Sequence, residues 1–364
     1  MSHIPSRHRQ RGMSMVELMV ALLLGAIIIF GATTVYNRSR KSYGENEAVA
    51  RLQETARYAM SVIEPDVRMS NYFGLVKGAS VVAGQAGQTD PALAGFPAIC
   101  GNNFAADMNS NLQGDNNQYV ISASPLGART AACDALPNLN NVALIWNTGA
   151  QATSDTLTVR RASVFNQGGV ALTNGVLQLC SSRVAGRISP TGGACPAAPQ
   201  GQINNIIVNT YYVDRASQQS PTLPSLRRKV LTSRLNAVAF ADQEVIAGVE
   251  DLQVQFGIDP NGLTGVATRY VNPNAVPAGA QVVAVRVWLL VRADQGETGF
   301  IDNQIYQYGD RSTATGTTGD LNNAASAGFA YQPSLSTDDS MTGPRHVRRL
   351  LISRTIQIRN ALGT

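Results

Sequence analysis

Apolar and polar positions change their rhythm along the chain. From Leu18 to Asn37, 20 residues carry no charge. At 1.5 Å per residue, a helix of that length spans about 30 Å, the hydrocarbon thickness of a bilayer. Gly25 and Gly31 are compatible with it, because a helix in lipid keeps its internal hydrogen bonds. Beyond this run, Val49, Leu52, Ala56, Ala59 and Ile63 recur at spacings of three and four, which is one apolar stripe on a helix. Glu47, Arg51, Glu54 and Arg57 fall largely off the stripe, with Glu47 and Arg51 at a favourable i, i+4 spacing. The stripe predicts a helix packed on a globular domain. Pro65 lacks a backbone donor and is expected to end or kink that helix near Glu64.

The rhythm then weakens. From about residue 75 to 245, Gly, Asn, Pro and Gln punctuate short apolar pieces: Tyr119–Ile121, Val142–Trp146, Thr156–Val159 and Ile206–Val213. These read as short strands between long loops. Arg187–Gln202 and Gly309–Ala327 read as mobile. Period-two alternation returns with Leu252, Val254, Phe256 and Ile258, the pattern of a half-buried strand. Val283, Val285, Val287, Leu289 and Val291 form a second strand face. Leu350, Ile352, Ile356 and Ile358 form a third, interrupted by Arg354. Three such strands predict an antiparallel sheet against which the long helix packs.

Composition refines this picture. Charged residues make up only 15% of 364, with 33 Gly, a mix suited to an extracytoplasmic domain rich in loops and strands. The net charge of +5 is partly local, because Arg7, Arg9 and Arg11 precede the apolar run without an acid. Without them 26 basic residues face 24 acidic ones, so the charge is no nucleic-acid footprint and no nucleic-acid partner is expected. Four widely spaced cysteines, Cys100, Cys133, Cys180 and Cys195, with no CxxC pair, fit disulfides in an oxidising compartment. Three pairings are open; the sequential one closes the shortest loops.

Nothing like a secretory cleavage site follows Val35, where the chain runs into Arg38, Arg40 and Lys41, so the apolar run is retained. Basic residues tie on its two sides, so charge alone does not orient it. Glu17 stands at the start of the apolar run, where a carboxylate costs a few kcal/mol in lipid and is by default a functional residue. Gly12-Met-Ser-Met-Val-Glu17-Leu resembles the type IV prepilin motif, with Met13 in place of the common Phe. The resemblance implies leader cleavage between Gly12 and Met13 by a prepilin peptidase, N-methylation of Met13, and pairing of Glu17 with a neighbouring subunit's amine to set filament register. The competing expectation is a plain single-pass anchor.

The block RLQETARYAMSVIEPDVRMSNYFG, Arg51 to Gly74, resembles the PilW family of minor pilins, with Pro65 and Asn71 as departures. GVEDLQVQFGID, VRVWLLVR and RRLLISRTIQIRN resemble its C-terminal half. The implied fold is α+β: a long N-terminal helix, membrane-spanning in its first half, packed on an antiparallel β-sheet domain with long loops, pilin- or pseudopilin-like. The implied divisions are a cleaved leader at 1–12, a membrane and filament-core helix at 13–37, an amphipathic periplasmic extension at 38–70, and a β-rich periplasmic domain at 71–364. The implied role is a minor pilin in a priming or tip complex that initiates polymerisation. Its partners would be other minor pilins, the major pilin and a tip adhesin, at the inner membrane and in the pilus. The alternatives are a minor pseudopilin of type II secretion and a signal-anchored periplasmic enzyme.

Catalytic motifs offer little. Without a leader, the chain keeps one histidine, His346, since His3 and His8 precede Gly12; a His triad or multi-His zinc site is nearly excluded. His346 reads as a solvated turn residue. No catalytic residue and no cofactor is expected. Asp107, Asn109, Asn111 and Asp115 alternate like the start of a calcium loop, but Leu112 and Gln118 stand where an EF-hand needs Gly and Glu. Arg345, Arg348 and Arg349 read as a solvated strand edge, with contact to an acidic partner subunit as the functional alternative.

Overall fold

A computed structural model describes residues 12–84, 104–117, 119, 150–151, 153–166, 171–195, 201–218, 220–234, 237–262, 264–312, 318–319, 321, 326–341 and 343–361. Its elements in chain order are α1 (Met15–Arg68), β1 (Val82–Ala83), β2 (Leu112–Gln113), β3 (Leu157–Asn166), β4 (Ala171–Leu172), β5 (Gln178–Ser181), β6 (Gly186–Ser189), β7 (Gly193–Ala194), β8 (Gln202–Asp214), β9 (Ser225–Arg234), β10 (Ala237–Ala247), β11 (Val249–Asp259), β12 (Arg269–Val271), β13 (Gln281–Arg292), β14 (Thr318–Gly319), β15 (Ala330–Tyr331) and β16 (Arg349–Gln357). The fold is α+β. Residues divide into two compact units, one up to Ala50 and one from Arg51 onward, and α1 contributes to both.

In the second unit, α1 buries Leu52, Ala56, Ala59, Met60, Ile63 and Val67. This is the expected stripe, extended by Met60 and Val67. Val49, at the end of the first unit, is 40% exposed instead. Pro65 does not end the helix, which runs on to Arg68. A proline inside a helix removes one backbone bond; here the last turn is held from outside. Asp66 accepts from Arg161 Nη2 at 2.8 Å, Asn209 Nδ2 at 2.5 Å and Tyr211 Oη at 2.5 Å. Val67 is buried beside it.

The helix packs on the sheet of order β12-β11-β13-β16, antiparallel throughout. The main core joins its apolar face to Leu52, Ala56, Ala59, Met60 and Ile63 of α1. The alternating sets predicted for β11 and β13 all face this core. A fully buried aliphatic side chain contributes about 1.5–3 kcal/mol, so this contact carries much of the unit's stability. One expectation needs correction: β11 is not half-buried, because almost every residue on both its faces is enclosed. The opposite side of the sheet is covered by Tyr306, Tyr308, Leu321 and Tyr331 packing on Leu290.

The middle region forms an eight-stranded sheet. Thr156–Val159 and Ile206–Val213, read as short strands, belong to the ten-residue β3 and the thirteen-residue β8. The hairpin β9–β10 lies beyond what the pattern suggested. It hides charge on its inner face: Arg227 is buried and binds Asp242 at 2.5 Å and Glu244 at 3.2 Å. Of the expected strands, Val142–Trp146 and residues 120–121 lie outside the described residues. Of the stretches read as mobile, Arg187–Ser189 belongs to β6, Gly193–Ala194 forms β7, and Thr318–Gly319 forms β14. Residues 196–200, 313–317, 320 and 322–325 are outside the described set.

A disulfide joins Cys180 to Cys195, both buried, with Cα atoms 5.6 Å apart. It closes a 15-residue loop, worth about 3 kcal/mol on the chain-entropy account. Cys100 and Cys133 lie outside the described residues.

Candidate functional site

Two arrangements could carry function: the start of α1 and the polar clusters of the second unit. Gly12 has no atom within 4 Å of where a Cβ would stand, and Met13 is 65% exposed. The helix opens at Met15, with Leu18 N donating to Ser14 O at 3.1 Å. Glu17 is the acid in the first turn, where the helix dipole favours negative charge. Behind it runs an apolar window of mean hydropathy 2.5, none of it buried. Leu22, Leu23, Ile27, Ile28, Ile29 and Phe30 are each at least 60% exposed. Thr33 and Thr34 turn their hydroxyls back onto Phe30 O and Gly31 O, which satisfies them within the helix. Among the described residues this is the helix long and apolar enough to cross a membrane.

The clusters of the second unit are internal. Arg349 is not at a solvated edge: its side chain is buried and holds Glu250 at 2.5 Å and Asp302 at 3.0 Å. Burial pushes the Glu250 carboxyl up, but Arg349 outweighs it and holds it below the usual range. Arg348 grips Glu297 with two bonds, of 2.5 and 2.9 Å, and Arg345 lies 3.3 Å from Asp339. The three arginines thus spend their charge on acids of the same chain. His346, read as a solvated turn residue, is tied at both nitrogens, to Phe300 O at 2.9 Å and Asp339 Oδ1 at 3.0 Å. The Asp339 bond raises its pKa.

The loop with calcium-like spacing is organised by a buried guanidinium. Arg160 reaches Phe104 O at 2.8 Å, Ser110 O at 2.5 Å and Gln113 Oε1 at 2.8 Å. Burial lowers its pKa to about 10. Asp107 accepts from Ser110 N, Asn111 O accepts from Arg160 N, and Asp115 accepts from Thr156 Oγ1. Among the described residues, no group of three or more His, Cys, Asp or Glu side chains is placed to hold a metal ion.

Other buried polar residues escaped the sequence reading. Asp251 receives Arg311 Nε at 2.6 Å, Tyr308 Oη at 2.7 Å and Ser154 Oγ at 2.5 Å. Asp155 accepts from the backbone of Asn117 and Val254, and burial pushes its carboxyl well above the usual range. The adjacent acids Glu250 and Asp251 inside an apolar strand were the available signal, since charges there need buried partners. These clusters link strands to loops.

A family model described as Type IV Pilus-assembly protein W matches residues 210–360. A second, described as the prokaryotic N-terminal methylation motif, matches residues 7–33. Comparison with curated proteins and with solved structures gives no match. The first model covers the strands from the end of β8 to β16, and the second covers Gly12, Met13, Glu17 and most of the exposed apolar window. Residues 210–360 are thus similar to the PilW family of type IV pilus-assembly proteins, and residues 7–33, at the head of the unburied apolar helix, to the methylation motif of type IV pilins.

Proposed function

We propose that this chain is a minor pilin that works by assembly, in an inner-membrane complex that primes pilus polymerisation and remains near the tip. Its C-terminal unit would lie in the periplasm before export into the pilus. Prepilin peptidase would cut between Gly12 and Met13, and the new Met13 amine would be methylated. Glu17 would then meet the first-residue amine of a neighbouring subunit and set the register of α1 among the helices of the filament core. The observation that carries this reading is Glu17 itself: one carboxylate at the head of an apolar window none of which is buried. A carboxylate in lipid requires a counter-charge, and a helix terminus free of intramolecular packing leaves that role to another chain. The match to a pilus-assembly family supports a pilus over a secretion system.

The test is assembly in cells. Glu17→Ala is expected to abolish surface piliation and co-purification with other pilin subunits, while membrane insertion and the level of the protein stay unchanged. Glu17→Asp should recover part of the assembly. Normal piliation and normal co-purification in Glu17→Ala would refute the reading.

A further inference from the structure

Among the described residues, the outer edge of β16 is open. It ends the β12-β11-β13-β16 sheet, and no strand among the described residues pairs beyond it. Its register with β13 is unbroken from Arg349↔Arg292 to Gln357↔Ala284. Ile358 N donates to Val283 O, and Arg348 O accepts from Ala293 N. In an antiparallel ladder the backbone groups alternate sides. The even-numbered residues of β16 therefore turn their N–H and C=O towards β13. The odd-numbered ones, Leu351, Ser353, Thr355 and Gln357, turn theirs outward. Ser353, Thr355 and Gln357 are also exposed.

Beside this edge runs a groove of about 400 Å³ between α1 and β16. Its floor is Ala56, Met60, Leu350 and Ile352. Its charged lining is Arg57, Arg354 and Glu64, two cations to one anion. Glu64 is shared, since it also binds Arg68. Natural edge strands block unwanted pairing with charged side chains. Between Leu350 and Gln357 the sole charge is Arg354, and Glu64 draws it onto the helix, away from the backbone edge.

We infer that β16 accepts an extended segment of another pilus protein as a fifth strand of this sheet. The segment would carry apolar residues on the side facing α1 and an acidic residue for Arg57 and Arg354. This is β-strand addition, in which main-chain bonds give affinity and alternate side chains give selectivity. A second copy of this chain is a poor occupant, because its own β16 carries a cation, Arg354, on the α1-facing side where the groove's two cations call for an acid. The identity of the partner as a pilus protein rests on the assembly reading above; the edge itself does not.

Proline separates backbone pairing from side-chain contact. Ser353→Pro deletes an outward N–H and leaves the bonds to β13 in place, whereas Ser353→Ala keeps the N–H. Loss of one pairing bond, with its partner carbonyl left unsatisfied, reduces affinity by about tenfold or more. Ser353→Pro is therefore expected to cut surface piliation and subunit co-purification by that factor, with Ser353→Ala near wild type. A second measurement uses full-length wild-type protein in detergent. An octapeptide of alternating valine and threonine, with one valine replaced by glutamate, should slow deuterium exchange across residues 350–357. The same peptide with lysine in place of glutamate should not. Equal piliation of Ser353→Pro and Ser353→Ala overturns the proposal. Should Ser353→Pro fail to accumulate, unchanged exchange with the glutamate peptide overturns it instead. Loss of assembly in Glu17→Ala alongside a silent Ser353→Pro sinks the edge alone, whereas a silent Glu17→Ala sinks the assembly reading.

Discussion

Charged groups occupy several buried positions of the second unit. Asp214 shows the energetic consequence. It ends β8, accepts from Ala216 N at 2.9 Å through Oδ1, and leaves Oδ2 buried without a hydrogen-bond partner. Burial raises its pKa to about 6 from an ordinary 3.8. The folded state thus binds a proton more tightly than the unfolded chain, and stability falls as pH rises through the window from about 4 to 6. Asp214→Asn keeps the Oδ1 acceptor and removes the ionisation. It should raise the melting temperature at pH 7.5 and flatten the pH dependence within that window. A melting curve series that stays parallel to wild type would contradict this account. The raised pKa of His346 has its own pH sense: the Asp339 contact is strongest when the ring is protonated and weakens as pH rises above the ordinary value of 6.5.

At the scale of elements, the legible parts were those with a clean period. The stripe of α1 and the alternation of β11 and β13 are visible because one face of each enters a single apolar core. The hairpin β9–β10 was not legible, since Arg227 and Lys229 occupy buried positions that periodicity assigns to solvent. Nor was the enclosure of the outer face of β11, where Tyr308 and Tyr331, on either side of the Gly-, Thr- and Ser-rich stretch, reach Asp251 and Glu250. The loop with calcium-like spacing is wound on Arg160 through Phe104 O, Ser110 O and Gln113 Oε1, oxygens other than the Asp and Asn side chains that suggested a cation. The helix continues past Pro65 to Arg68, where Asp66 gathers Arg161, Asn209 and Tyr211. Pro65 still lacks an N–H for the Ser61 carbonyl, so Pro65→Ala should stabilise the protein, by up to about 3 kcal/mol on helix propensity. Chemical denaturation of the second unit in full-length, detergent-extracted protein would show it. A variant less stable than wild type would mean that the proline ring, rather than Asp66, fixes this turn.

For the molecule as a whole, the two units differ in what covers their apolar surface. The unit from Arg51 onward holds apolar cores, a disulfide and arginines paired with acids of the same chain. The unit up to Ala50 leaves its apolar window uncovered. An uncovered apolar helix needs a bilayer or other helices, and a carboxylate at its head needs a cation; the processed, methylated N-terminus proposed above would supply the setting for both. The candidate site was readable from sequence because its signal is local: Gly12, Met13 and Glu17 at fixed spacing before a run without charge. The open edge of β16 was not, because only the register shows which backbone groups face outward. The most direct test of the account is the intact mass of the protein extracted from membranes. It predicts a chain beginning at Met13 and carrying one added methyl group. A mass that retains Met1, or one that reports cleavage beyond Val35, contradicts it.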